Sequence, residues 1–158
     1  MEAVRPAIDA DTAHLLEMGE DLFDAVAAQR GGALLLPPSG RWAGPGGGRD
    51  RLDDLLADES ALVLVGTLDG VVTGFGVCHV EDLGPPAPRG ILDACYVEPG
   101  ARGVGLGRLL LDSSVSWLEE RGCRGVDGIA LPGDRGAKNF YESAGFKARM
   151  LTMHREID

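Results

Sequence analysis

The sequence predicts an α/β (α+β) protein in which a central mixed sheet is flanked by helices. Strand-like and helix-like patterns follow one another in the order β-α-α-β-β-β-α-β-α-β. Asp69-Gly70 lies between two strand-like runs and predicts an antiparallel hairpin. A helical pattern over residues 106–121 joins two further strands, and such a crossover predicts a parallel pair. One parallel pair beside a hairpin makes the sheet mixed.

The composition limits the class of protein. A chain of 158 residues, 44% of them hydrophobic, is expected to form a single domain over residues 1–158. A net charge of -10 argues against a protein that coats nucleic acid and is compatible with a cationic small molecule as partner. The three cysteines have no spacing typical of metal ligands or redox pairs, so we expect no metal site and a reducing cytoplasm.

The N-terminus is acidic, contains Pro6 and does not resemble a signal peptide. No apolar run reaches the length that crosses a bilayer, so we expect a soluble protein without a membrane partner.

The first half of the chain predicts a strand at residues 3–7 and two helices. The first helix would be capped by Asp9 or Asp11 and end near Arg30 to Gly32, and the second would span Arg49 to Asp58. Between them lies a segment rich in Gly and Pro that contains Trp42.

The second half predicts more strands than helices. Strands are expected within residues 61–81, 91–97, 125–131 and 147–157. A helix would follow Asp134 as N-cap and end at Gly145 as C-cap.

Three glycines stand where the helix after the 91–97 strand must begin. Gly103, Gly105 and Gly107 leave the first amides of that helix free of side chains, and Arg102 and Arg108 add positive charge. This arrangement is typical of a phosphate or pyrophosphate site. A tight turn with close helix–sheet packing is the alternative explanation of the glycines.

Two common phosphate motifs do not match this segment. A Walker loop needs Gly-Lys-Ser/Thr, whereas the chain has Gly107-Arg108-Leu109. A dinucleotide fingerprint needs Gly-x-Gly-x-x-Gly near the first strand, and the glycines here come late and fail its last position.

Two segments, residues 102–107 and residues 134–146, resemble signatures of the GCN5-related N-acetyltransferase (GNAT) family. Arg102-x-x-Gly105-x-Gly107 is similar to the Arg/Gln-x-x-Gly-x-Gly/Ala signature. The second resembles Asn-x-x-Ala-x-x-x-Tyr-x-x-x-Gly-Phe, matched by Ala137, Tyr141, Gly145 and Phe146. Asp134 replaces the usual Asn, which puts any contact made by that amide N–H in doubt. The order of elements also matches, so the resemblance covers essentially the whole chain.

The resemblance implies that acetyl-CoA binds where the strands at 91–97 and 125–131 splay apart. The pantetheine arm would pair with the first strand near Cys95 to Val97, and the diphosphate would lie on amides of the glycine-rich turn. The implied cofactor contacts are Cys95, Tyr96, Val97, Arg102, Gly103, Val104, Gly105, Leu106, Gly107, Arg108, Asp134, Lys138 and Tyr141. Arg135 could also meet a CoA phosphate.

The resemblance further implies direct transfer, in which a neutral amine attacks the thioester in a ternary complex. Tyr141 would be the general acid for the leaving thiolate; a core tyrosine is the alternative. Asp93 would be the general base, because a carboxylate in an apolar strand is costly unless it is used or paired. By alternation it would share a face with Cys95 and Val97. Glu81 and His79 are the other candidates for the base.

The predicted function is therefore transfer of an acetyl or other acyl group to a primary amine of a small molecule or peptide. A homodimer is expected, as in many members of the family that the chain resembles. The alternative is a non-catalytic acyl-CoA-binding or sensing module with the same fold. The acceptor would be selected by residues 15–58, where Trp42 could wall the pocket.

Overall fold

A computed structural model describes residues 1–34 and 48–157 of the chain. Over these residues the helices and strands are β1 (Glu2–Pro6), α1 (Thr12–Ala27), α2 (Arg49–Ala57), β2 (Ala61–Leu68), β3 (Val71–Glu81), β4 (Arg89–Val97), α3 (Leu106–Glu120), β5 (Val126–Gly128) and α4 (Arg135–Ser143). Short 3-10 turns lie at Asp9–Asp11, Gly32–Leu34 and Pro99–Ala101.

The strands form one mixed sheet in the order β1-β2-β3-β4-β5. The first four are antiparallel neighbours, and β5 lies parallel to β4. The predicted hairpin is confirmed, with Asp69 (φ 49°) and Gly70 (φ 83°) in the left-handed conformations of its turn. The mixed sheet and its single parallel pair are those that the sequence predicts.

Helices cover both faces of the sheet, and each layer buries its own core. On one face α1 and α2 pack on β2, β3 and β4; the buried residues include Leu15, Met18, Leu52, Val65, Phe75 and Val77. On the other face lie α3 and α4; the residues there include Leu92, Leu106, Leu110, Leu111, Leu118, Phe140 and Tyr141. The spacing of the leucines in α3 is the period of one helical face.

The start of α1 differs from the prediction. Asp11 occupies the N-cap position, but its side chain does not cap the helix. It accepts two hydrogen bonds from Arg5 of β1, at 2.6 and 2.9 Å, and one from the Ile8 amide at 2.9 Å. A charged donor competes successfully with helix amides for a carboxylate. The helix also ends at Ala27, earlier than predicted.

The last predicted strand is wrong. Residues 147–157 have no regular structure, and Met150, Leu151 and Met153 are 79–88% exposed. Beyond β5 the sheet offers an edge of only 3 residues, which provides few backbone partners for an added strand. One side chain does meet that edge, since Arg149 pairs with Asp127.

No helix in the described ranges combines the length and the apolar character needed to span a membrane. Trp42, which the sequence suggested for the acceptor pocket, lies outside the described residues.

Candidate active site

The parallel strands β4 and β5 separate half-way along β4. Gly90, Ile91 and Leu92 pair with the three residues of β5, and the last pair joins Leu92 to Gly128. From there β4 runs on from Asp93 to Val97 with no residue of β5 beside it. The early end of β5, which was predicted to extend to residue 131, opens a gap beside β4 in which backbone groups face a potential ligand.

A β-bulge places Asp93 differently from its neighbours. Val77 of β3 pairs with Ala94 and Cys78 pairs with Leu92, so Asp93 is the extra residue. The carboxylate reaches His79, which follows Val77 by two residues on the face covered by α1 and α2. The predicted shared face of Asp93 and Cys95 is therefore wrong, because the bulge interrupts the alternation, and Cys95 packs on the α3 side.

Asp93 and His79 form a close pair. His79 Nδ1 lies 2.7 Å from Asp93 Oδ2, and the side chain of Asp93 is 3% exposed while that of His79 is 32% exposed. Burial raises the pKa of Asp93, although the contact with His79 opposes that shift. The hydrogen bond to Asp93 raises the pKa of His79, against a smaller opposing effect of burial. The pair thus offers one accessible imidazole edge backed by a buried carboxylate.

The turn before α3 leaves a row of amides available. Gly103 (φ 85°) and Gly105 (φ 93°) adopt left-handed conformations, and a Cβ at either position would meet nothing within 4 Å. Within the described part of the chain, the amides of residues 103–108 donate no hydrogen bond. Unpaired amides at the start of a 15-residue helix form a positive, open concavity suited to an anion.

The basic side chains near this turn contact other protein groups. Arg102 Nε donates to the Val97 carbonyl at 2.8 Å, and its guanidinium lies 5.8 Å from the centre of the Tyr96 ring. Arg108 pairs with Asp112 at 2.8 Å on the surface of α3. Direct contact of these two arginines with the cofactor stays a prediction.

Three of the residues predicted to bind the cofactor can offer only backbone groups or a thiol. The side chains of Tyr96 and Leu106 are buried in the two core layers. Cys95 Sγ donates to the Gly107 carbonyl at 3.7 Å, and burial raises the pKa of its thiol to about 12. Val104, in contrast, is exposed at the tip of the turn.

Tyr141 of α4 lies directly against the point where β4 and β5 separate. A Cβ added to Gly128 would be 2.6 Å from the Tyr141 ring and 3.0 Å from its hydroxyl oxygen. Burial raises the pKa of Tyr141, and Cys95 and Asp93 add to the shift through their negative charge when ionised. The phenol therefore keeps its proton through neutral and mildly alkaline pH.

Comparison with known proteins decides the family. Residues 33–146 match the sequence model of the Acetyltransferase (GNAT) family. The chain belongs to this family. It is an acyl-CoA-dependent acetyltransferase, and its acyl donor is acetyl-CoA.

Two curated relatives are acetyltransferases of small molecules. An aminoglycoside N(6')-acetyltransferase type 1 from Stenotrophomonas maltophilia is 29% identical over 113 residues, which cover 68% of this chain and 74% of that protein. A mycothiol acetyltransferase from Propionibacterium freudenreichii is 28% identical over 153 residues, 92% of this chain and 48% of that protein.

Solved structures confirm the fold. The BH1408 protein from Bacillus halodurans superposes with a TM-score of 0.80 at 20% identity, covering 98% of this chain and 99% of that one. The aminoglycoside N-acetyltransferase AAC(6')-Iy, solved with CoA, gives a TM-score of 0.74 at 18% identity and covers 99% and 95%.

The remaining predicted residues of the acetyltransferase lie on α4. Asp134 caps the helix as predicted, accepting from the Ala137 amide at 2.9 Å, and its other oxygen accepts from Gln29 Nε2 at 3.3 Å. Lys138 pairs with Glu142 at 3.7 Å on the exposed face. Asp134 thus fulfils its capping role, and contact of Asp134 and Lys138 with the cofactor stays a prediction.

Sequence reasoning missed two features of the acetyltransferase. Gly128 was read only as part of a strand, although the Tyr141 ring occupies the space that a side chain would take. His79 was one of three candidates for the base, and its pairing with Asp93 depends on the bulge. A glycine inside an apolar strand was the one signal available for Gly128.

Proposed function

We propose that this acetyltransferase transfers the acetyl group of acetyl-CoA to a primary amine of a small molecule or peptide by direct attack in a ternary complex. The observation that carries the proposal is the arrangement around the gap beside β4. Tyr141 lies at its start against Gly128, and the Asp93–His79 pair lies at the bulge of the same strand. A proton donor and a proton acceptor thus flank one opening.

The chain offers acetyl-CoA a fitting cradle. The amides of residues 103–108 suit its diphosphate, since they are free and at the positive end of α3. The stretch Asp93–Val97, which has no strand on its β5 side, suits the amide-bearing arm of the cofactor, which can bind as an added strand does. Gly103 and Gly105 leave room for close approach. Acetyl-CoA supplies the thioester that activates the acetyl group.

Proton transfers on the two faces of the sheet, at the start of the gap, complete the reaction. The amine nitrogen forms a bond to the acetyl carbon as the carbon–sulfur bond breaks, and Tyr141 donates its hydroxyl proton to the sulfur. The nitrogen sheds its extra proton as the amide forms, and a proton from solvent restores the Tyr141 hydroxyl. Its raised pKa keeps that proton in place until the sulfur becomes basic enough to take it. On the α1/α2 face, the Asp93–His79 pair removes the proton with which an amine arrives at neutral pH.

The thiol nearest the gap favours direct attack over an acyl-cysteine intermediate. A cysteine nucleophile needs a thiolate, and thiolates are favoured by nearby positive charge. Burial instead raises the pKa of Cys95 to about 12, and its Sγ donates to a carbonyl. The thiol therefore stays protonated and unreactive.

Acidic groups on the α1/α2 side of β4 favour an ammonium as the incoming acceptor. Asp58 and Glu81 act on His79, and Asp21 and Glu98 act on Tyr96. The curated relatives are named for aminoglycoside and mycothiol, which are small molecules. A cationic small molecule fits both the charge and these names.

We also infer a cytoplasmic homodimer. The three cysteines are free thiols, as in a reducing compartment. Met150, Leu151, Met153 and Ile157 are exposed apolar side chains that a second chain could bury.

The experiment is thiol release from acetyl-CoA with a panel of amines, comparing the wild type with Tyr141→Phe. We expect release with at least one cationic amine and a 100-fold or greater loss of kcat in Tyr141→Phe, the order typical of a lost general acid. CoA affinity measured by calorimetry should be similar in both. Binding of CoA without turnover across the panel would favour the non-catalytic module.

A further inference from the structure

We propose that Nε2 of His79 is the atom that takes the proton from the acceptor ammonium, and that Asp93 is a positioning residue that acts through Nδ1. This inference rests on the proposed amine acetyltransferase activity and assigns its base, which the sequence had placed on Asp93 itself.

Accessibility separates the two members of the pair. The Asp93 side chain is 3% exposed, and its Oδ2 is engaged by His79 at 2.7 Å. The His79 side chain is 32% exposed, and the contact with Asp93 uses only Nδ1. An acceptor entering from the α1/α2 side therefore meets imidazole before it meets carboxylate.

The hydrogen bond also fixes the tautomer of the imidazole. An ionised carboxylate can only accept, so Nδ1 carries the proton in this contact. The lone pair of neutral His79 is then on Nε2, on the opposite edge of the ring. Asp93 thus leaves Nε2 as the basic nitrogen of the ring, and the β-bulge is required to bring the carboxylate to this face.

Charges from every neighbouring element act on the pair. Asp93 of β4, Glu81 of β3 and Asp58 at the end of α2 favour the imidazolium form of His79. Arg51 of α2 favours the carboxylate of Asp93. On the α3/α4 side, the thiol of Cys78 and the phenol of Tyr141 feel the charge of Asp93, and both stay protonated. Together these charges favour the protonated form of His79.

Glu81 is a weaker candidate for the base. It is the last residue of β3, and its register partner is Arg89 at the start of β4, four positions before the gap begins at Asp93. Its negative charge helps to raise the pKa of His79, whose imidazolium it stabilises.

The proton balance is simple. The N–H bond of the ammonium breaks, its proton binds Nε2, and a neutral amine and an imidazolium result. After transfer of the acetyl group, the imidazolium returns the proton to water and His79 is neutral again.

The test is the pH profile of kcat/KM for the amine at saturating acetyl-CoA, in the wild type, His79→Gln and Asp93→Asn. We expect the wild-type rate to rise with pH through a pKa above 6.5, the value for free histidine. His79→Gln should lose this limb and at least 100-fold in rate. Asp93→Asn should keep the limb, shift it to lower pH and lose less than His79→Gln.

A second readout separates a base from a structural residue. The deficit of His79→Gln should shrink for weakly basic amines that are already neutral at the assay pH, since these need no proton acceptor. His154→Gln, in the exposed C-terminal segment, is the matched histidine control and should behave as wild type. CoA affinity and melting temperature of each variant establish that it is folded.

Two results would overturn the inference while leaving the proposed function intact. One is a pH limb that survives in His79→Gln and disappears in Asp93→Asn; the other is an equal deficit of His79→Gln for strongly and weakly basic amines. If the wild type acetylates no amine at all, the proposed function fails, and this inference fails with it.

Discussion

Gly128 is the position at which an added side chain would most directly disturb the proposed chemistry. The Tyr141 ring and hydroxyl lie 2.6 to 3.0 Å from the position of a Cβ at this residue, closer than real Cβ contacts allow. The placement of the phenol at the start of the gap therefore depends on glycine in β5.

Gly128→Ala should displace the Tyr141 hydroxyl and lower kcat about 10-fold or more, since a misplacement of about 1 Å costs up to 100-fold. CoA affinity should change little. Gly125→Ala is the matched control, because it flanks the same strand and its Cβ would meet nothing within 4 Å. Steady-state kinetics that place both variants at wild-type kcat would contradict the packing described for Tyr141.

Asp11 forms an ion pair with Arg5 that joins β1 to the start of α1. Its side chain is 7% exposed, and the hydrogen bond from Arg5 lowers the pKa of Asp11 against the opposing effect of burial. A carboxyl with a lowered pKa in the folded state adds stability above its unfolded pKa, and that stability is lost as the pH falls.

Asp11→Asn should lower the free energy of unfolding by about 1 to 2 kcal/mol at pH 7, and this difference should close below about pH 4. Asp9→Asn, on an exposed side chain of the same turn, should change stability by less than about 0.5 kcal/mol. Urea unfolding at several pH values measures both. A difference that stays constant from neutral to acidic pH would count against the Arg5–Asp11 pair.

The roles of some single residues could be predicted from the sequence alone, and those of others could not. Asp134 was predictable as a cap because a short acidic side chain before a helix has a local hydrogen-bonding role. Asp11 has the same local signal but instead accepts hydrogen bonds from Arg5, which belongs to a different element, the strand β1. The importance of Gly128 depends on a ring from α4, and no local pattern contains that information.

At the scale of elements, the tip of α3 is the feature with the clearest consequence for the cofactor. Gly105→Val adds a branched side chain to the amide cradle and also strains a residue at φ 93°. Strain and obstruction must be separated, because a side chain in the left-handed conformation costs about 1 to 2 kcal/mol wherever it occurs.

Gly122→Val provides that separation, since Gly122 has φ 84°, open space around its Cβ and a position at the opposite end of α3. Both variants should lose similar stability. Gly105→Val alone should weaken CoA binding, by 10-fold or more in a calorimetric titration. Equal CoA affinity in the two variants would show that the amide turn is not the cofactor site.

The elements also show where pattern reasoning ends. The strands of the hairpin and the helix α3 follow from alternation and from a leucine face, which are local and strong. The bulge at Asp93 is a mismatch between two strands, so it cannot be read from β4 alone. The segment 147–157 has apolar residues typical of a strand, but pairing requires an edge, and β5 ends after 3 residues.

For the whole molecule, the order of elements was enough to predict a mixed sheet between helices. Because connections are short and parallel crossovers are right-handed, a hairpin and one helical crossover are compatible with only a few sheet topologies. The two helical layers, the early separation of β4 from β5 and the side on which Asp93 lies needed the structure, because each depends on packing between distant segments.

The net charge of -10 gives a prediction of its own. Raising the NaCl concentration from about 20 to about 500 mM shortens the Debye length from about 20 to about 4 Å and screens the acidic groups near the gap. For a dicationic acceptor amine, kcat/KM should fall about 3- to 10-fold. An uncharged amine of similar size should show little change, and equal salt dependence for both would contradict attraction by the protein's field.

Amide hydrogen exchange of the wild-type protein, with and without CoA, tests directly whether CoA binds in the gap beside β4. We expect slower exchange on CoA binding in two stretches, residues 93–97 of β4 and residues 103–108 at the tip of α3, with little change in β1 and β2. If CoA binds and these two stretches exchange as in the free protein, the cofactor lies elsewhere and the account of the gap is wrong.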